Sequence, residues 1–208
     1  MKKRKREQSR WVGALVAVAL ASPFAARGDL ETAAAAIEQG DFKTALAQLE
    51  PMAASGDARA QDALATLYLR GLGVERDVRA GMSWYCMLAH HAQGGRGIMQ
   101  AVWFLAEWFR TGGGMPGKHY NDGNRANEDP IRAYFWFSVL AEQKALYESV
   151  DEDSVRLGKI GRTAVGSVLY EKEKAEIGEA LSHWNPASPA PSPKACLQLP
   201  EGVTAVSQ

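Results

Sequence analysis

The chain has 208 residues, 46% of them hydrophobic and 23% charged, with 24 basic and 24 acidic side chains. That size and balance suit one ordinary domain or a short array of repeats, and they exclude a wholly disordered or collagen-like chain. Two cysteines, Cys86 and Cys196, fit an oxidising compartment but are too few for a disulfide scaffold.

The first element is MKKRKREQSR followed by the apolar run Trp11–Ala21, small residues and Pro23. A basic segment, a short apolar run and small residues read as a secretory signal peptide over residues 1–26. Cleavage after Ala21, Ala26 or Gly28 remains open. The alternative is an uncleaved anchor in the inner membrane, although the apolar run is short of the roughly 20 residues a span needs. Six of the 24 basic and one of the 24 acidic residues lie within residues 1–26, so 18 and 23 remain, a formal charge of −5. The expected mature protein is mildly acidic, which argues against nucleic acid as a partner.

Residues 29–54 hold a half-copy of a repeat, in which Asp41, Ala45 and Ala53 precede Asp77, Gly81 and Ala89 by 36 positions. Copy one, residues 56–92, contains Gly56, Ala60, Leu64, Ala65, Tyr68, Gly71 and Gly73. Copy two, residues 97–143, answers 41 positions later with Gly97, Ala101, Leu105, Ala106, Phe109, Gly112 and Gly114. Its second half follows at 52 positions: Asp77, Gly81, Trp84, Tyr85, Leu88 and Ala89 correspond to Asp129, Ala133, Trp136, Phe137, Leu140 and Ala141. The jump from 41 to 52 places an eleven-residue insertion in the stretch 115–128.

Each copy predicts two helices and a turn. Ala60, Leu64, Ala65 and Tyr68 share one helical face. Gly71 and Gly73 then turn the chain, because glycine takes the left-handed conformation that other residues avoid. Val74 tucks beneath the turn, and Asp77 caps the returning helix, which carries Trp84. One helix pair cannot bury its own apolar face, so the copies must stack.

The order Ala60, Leu64, Ala65, Tyr68, Gly71, Gly73, Val74 and Asp77, followed by Trp84, Tyr85, Leu88 and Ala89, resembles a Sel1-like repeat, a relative of the tetratricopeptide repeat. The resemblance covers about residues 41–143. It implies an all-α fold, a short right-handed α-solenoid of antiparallel helix pairs. Two features depart from the pattern. Gly81 stands where alanine is usual, and copy two has GGGMPGKHYNDGNRANED where copy one has a compact turn.

Residues 144–184 predict C-terminal capping helices, about 148–164 and 169–184. The second resembles the closing helix of bacterial Sel1-like proteins, with Tyr170 in place of the usual Ser/Thr cap. Residues 185–208 form a Pro-rich segment expected to be a flexible tail.

No constellation predicts catalysis, a cofactor or a metal. His90 and His91 are adjacent at a helix end, without a His/Glu partner at i+4, and read as solvated cap residues. NDGNRANED fails as a calcium loop, with Ala126, Asn127 and Ala133 where a ligand, the glycine and the closing glutamate belong. Gly112–Gly114 precede no G-K-[ST], and Ser83 and Ser138 lack a GxSxG context. Cys86 falls opposite Trp84 and Leu88 and is expected to face solvent. It could pair with Cys196, remain a free thiol or join another chain.

Surplus aromatics supply a candidate partner-binding set: Trp103, Trp108, Tyr134 and Phe135, with Phe104 at the edge and His119 and Tyr120 in the insertion. Exposed aromatics on a solenoid's concave face anchor partners. The alternative is that the loop or the capping helices cover them, since aromatics are usually buried. The signal segment implies export to the periplasm, and the resemblance implies a protein-interaction scaffold or adaptor without catalysis. The alternatives are an inhibitor or immunity partner of a secreted effector, and an envelope hydrolase or penicillin-binding repeat protein.

Overall fold

The computed structural model describes residues 29–113, 128–188 and 192–198, and among them every regular element is a helix. The expected signal segment 1–26, most of the insertion (with Gly114, His119 and Tyr120) and much of the C-terminal segment lie outside the described residues. The helices are α1 (Leu30–Glu38), α2 (Phe42–Ala54), α3 (Ala58–Arg70), α4 (Val78–Ala89), α5 (Arg96–Arg110), α6 (Pro130–Ala141), α7 (Gln143–Leu146), α8 (Glu152–Gly166), α9 (Glu171–His183) and α10 (Pro193–Cys196). None is long and apolar enough to cross a membrane.

Aspartate begins six of these helices, and in five of them its side chain caps the first turn. The side chains of Asp29, Asp41, Asp57, Asp77 and Asp129 each accept a hydrogen bond from a first-turn amide. Those amides have no partner within the helix, so a short carboxylate meets a need that alanine could not. Tyr170 caps α9 differently: its amide donates to the Glu173 carboxylate at 2.8 Å.

The connecting turns repeat in their hydrogen bonds. At the end of α3, Gly71 is left-handed (φ 68°), the Leu72 amide donates to the Leu67 carbonyl, and the Asp77 amide donates to the Tyr68 carbonyl at 3.0 Å. At the end of α5, Gly112 has φ 67°, the Gly113 amide donates to the Trp108 carbonyl, and the Asp129 amide donates to the Phe109 carbonyl at 2.8 Å. The second connection is longer, yet it closes on equivalent atoms.

Helices α1 to α6 pack on their neighbours in chain order, α6 then packs on α8 and α9, and α10 returns to α4. Two apolar cores result. Ala33, Leu46, Leu49, Leu64 and Leu67 belong to the first, whereas Ala65, Leu69, Leu105, Phe137 and Leu140 belong to the second. Trp84 packs against both, so the signature tryptophan joins them. Val74 also packs against the first core.

Small residues set the closest approaches. A Cβ on Gly81 would lie 2.5 Å from Leu69 Cγ, so the approach of α3 to α4 requires glycine there. Gly73 similarly abuts Phe42, where a Cβ would stand 2.6 Å from Phe42 Cβ. Gly158 and Gly161 bring α8 onto Leu140, Ala141 and the Phe137 ring.

The segment expected to be a flexible tail needs correction. Residues 193–196 form a helical turn, with Cys196 and Leu197 buried, and Cys196 is disulfide-bonded to Cys86 with Cα atoms 5.9 Å apart. Cys86 is therefore not solvent-facing but 0% exposed. Its face of α4 is covered by α10, which arrives from 110 residues away.

Candidate binding groove

Two depressions meet at one side chain on α4. The larger, about 500 Å³, is lined among the described residues by Arg79, Trp108, Phe109, Gly112, Gly113, Asp129 and Arg132. It lies where the chain leaves α5 and enters α6. The smaller, about 300 Å³, is lined by Tyr68, Asp77, Arg79, Ala80, Ser83, Trp84 and Pro193. Arg79 lines both depressions, which together make the candidate groove, and α10 supplies Pro193 to the smaller.

The repeat explains how these residues meet. Asp77 and Asp129 start α4 and α6, which brings Arg79 and Arg132 into the first turns beside them. Arg132 forms an ion pair with Asp129, and its guanidinium stands 5.4 Å from the centre of the Phe109 ring. Trp108 packs against Phe109 with ring centres 4.9 Å apart.

Two donors in this wall are unsatisfied. Trp108 Nε1 and Arg132 Nε are buried and have no hydrogen-bond partner. Leaving a buried donor unpaired costs about 1–3 kcal/mol, more when the group is charged. Such a defect is rare in a packed protein, and two lie at one cleft. The groove therefore combines two arginines with aromatic surface, a chemistry suited to carbonyl or carboxylate acceptors, and the two unmet donors lie buried in its wall.

The aromatics singled out from the sequence do not form one surface. Phe135 is 2% exposed, with its ring edge-on to Trp136 and Trp184 at 5.3 and 5.6 Å. Trp108 is 9% exposed and belongs to the core, although it also lines the groove. Tyr134 packs against the core and meets Gly166 of α8. Trp103 lines a different depression, about 270 Å³, with Arg96, Gln100, Asp151, Asp153, Ser154 and Leu157. The reason is coverage: α6 packs on α5, α8 and α9, so little of its surface remains open.

Sequence reasoning placed Tyr68, Trp84, Phe109 and Asp129 as structural, yet they also line the groove. It missed Arg79 and Arg132 altogether. Their signal was an arginine in the first turn after each capping aspartate. Ala60, Leu64, Ala101, Leu105 and Trp136 are core residues.

His90 and His91 are half-buried and engaged with neighbours rather than solvated. His91 Nε2 lies 3.0 Å from Oε1 of the buried Gln61, whose Nε2 donates to the Ala53 carbonyl at 3.1 Å. Burial draws the His91 imidazole below its usual value, against the pull of Asp57. His90 packs on Trp184 with ring centres 4.5 Å apart, and burial lowers its imidazole to about 4 despite a hydrogen bond with the Ser188 backbone.

No family model, curated protein or solved structure matches this chain. The reading of the groove therefore stands on its own residues. Ser83 Oγ donates to the Arg79 carbonyl four residues back, so that hydroxyl is engaged by its own helix.

Proposed function

We propose that the chain is an exported Sel1-like α-solenoid that binds a protein or peptide in the groove around Arg79 and serves as an interaction scaffold in a bacterial envelope. The observation that carries this reading is the pair of unsatisfied donors, Trp108 Nε1 and Arg132 Nε, at one cleft. A partner that brings acceptors to this wall, with a small shift of the Gly112–Gly113 turn, removes both penalties on binding. Tyr68 and Trp84 in the adjoining depression provide aromatic anchors of the kind that dominate binding energy. The internal repeat and the paired turns support the Sel1-like assignment. The basic, then apolar, N-terminal sequence supports export to the periplasm.

The test is a crosslinked pulldown from periplasmic extract with wild type, Trp108→Phe and Arg132→Met. Trp108→Phe keeps an aromatic ring and deletes only the donor. A partner recovered by wild type and lost from both variants supports the groove. Equal recovery by all three rejects it.

A further inference from the structure

We propose that Cys86, His90 and Cys196, once their disulfide is reduced, bind one thiophilic d10 cation, Zn²⁺ or Cu⁺. Cys86 and His90 are four residues apart on α4 and so share a helical face. Cys196 comes to them from α10. The two sulfurs and one ring nitrogen of His90 all lie within 4.8 Å of one another.

These positions need little adjustment. With metal–sulfur bonds of about 2.3 Å and metal–nitrogen bonds of about 2.0 Å, ligand atoms around a tetrahedral centre stand roughly 3.5 Å apart. Breaking the disulfide frees the sulfurs to separate to that distance, while His90 is already near. Neither helix has to be rebuilt.

His90 supplies an independent observation. Its Nδ1 is buried with no hydrogen-bond partner. A ligating histidine characteristically holds a backbone carbonyl with one nitrogen and turns the other to the metal. Here a buried ring nitrogen is left over. The arrangement has a ligand's form without a structural partner to explain it.

The surroundings favour soft ligation. Cys86 is fully buried, Cys196 is buried, and Trp184 covers the imidazole. Two thiolates and neutral imidazole are ligands that select Zn²⁺ and Cu⁺ over hard cations. A divalent ion leaves the three-ligand site neutral, which places Zn²⁺ ahead of Cu⁺ in a buried setting. The redox step balances with an external dithiol as reductant: the disulfide gains two electrons and two protons to give two thiols, and the dithiol becomes a disulfide. Binding of M²⁺ then releases two protons. This site does not depend on the groove reading.

The experiment uses the purified full chain, reduced, freed of reductant without oxygen and titrated with Co²⁺ as a spectroscopic stand-in for Zn²⁺, with Cu⁺ in a parallel chelator competition. The expected result is one ion per chain, thiolate-to-cobalt charge-transfer absorption, and displacement of Co²⁺ by Zn²⁺. The oxidised chain should show no such absorption and serves as the folded control. His90→Gln should weaken binding at least about tenfold, checked alongside circular dichroism. The proposal is overturned if reduced wild type binds neither Zn²⁺ nor Cu⁺ more tightly than Cys86→Ser/Cys196→Ser. Unchanged affinity in a folded His90→Gln chain overturns it too.

Discussion

Gly158→Ala and Gly178→Ala make the same chemical change in neighbouring helices and should move stability in opposite directions. On α9, a Cβ at Gly178 meets nothing within 4 Å. Alanine there gains only the helix-propensity difference, about 0.8–1 kcal/mol. On α8, a Cβ at Gly158 would lie 2.6 Å from the Ala141 nitrogen, 2.8 Å from the Leu140 carbonyl carbon and 2.9 Å from Leu140 Cβ. Carbon contacts are comfortable at about 3.5–4.0 Å, so the shortfall is roughly 1 Å. Two of the three atoms are α6 backbone and cannot rotate aside. Forcing the helices apart costs about 1–3 kcal/mol, which exceeds the propensity gain in most of that range. In thermal unfolding, Gly178→Ala should raise Tm by about 2–4 °C and Gly158→Ala should lower it by a few degrees. Shifts of the same sign would refute the close α6–α8 packing.

The remaining expectations concern the staple, a buried network and a histidine. A link across 110 residues removes at most about 5 kcal/mol of unfolded-chain entropy, so reduction should cost about 2–4 kcal/mol in urea titration with chelator present. Gln61→Leu leaves the Ala53 carbonyl and His91 without their partner and should cost about 1–3 kcal/mol by the same titration. The folded His90 imidazole is lowered to about 4, whereas an unfolded ring keeps an ordinary value near 6.5. Between those values the unfolded chain binds the extra proton, so this contribution is full above about pH 6.5 and falls as pH drops toward 4. Partial exposure of the ring limits the loss to about 1–2 kcal/mol, and melting curves of His90→Gln against wild type across that window should reveal it.

Much of the helical order was legible because it is written locally. Asp41, Asp77 and Asp129 mark helix starts, and Gly71 and Gly112 mark helix ends, at spacings that no longer-range contact is needed to interpret. Coverage was harder to read. Periodicity shows which residues share a face, not how many faces will be covered. The run AYFWFSVLA in α6 has almost no polar side, the mark of a helix buried all round, and that signal argued against an exposed Phe135. Cys86 was assigned to solvent because its cover, α10, lies more than a hundred residues away. The groove was missed for the converse reason: Arg79 looks like any surface arginine until α4, α5 and α6 place it between the two turns. Cys86 and His90 are four residues apart, a spacing that a His/Glu pattern does not reveal.

If a partner protein occupies the groove around Arg79, a crosslinker placed there must reach it. Photocrosslinking in cells tests it directly, with a benzophenone side chain replacing Arg79 in the groove or Ile160 on α8, which is 59% exposed. The expected result is a discrete adduct to another protein from position 79, lost when Trp108→Phe is added, and no adduct from position 160. An adduct from position 160 with none from position 79 would contradict it.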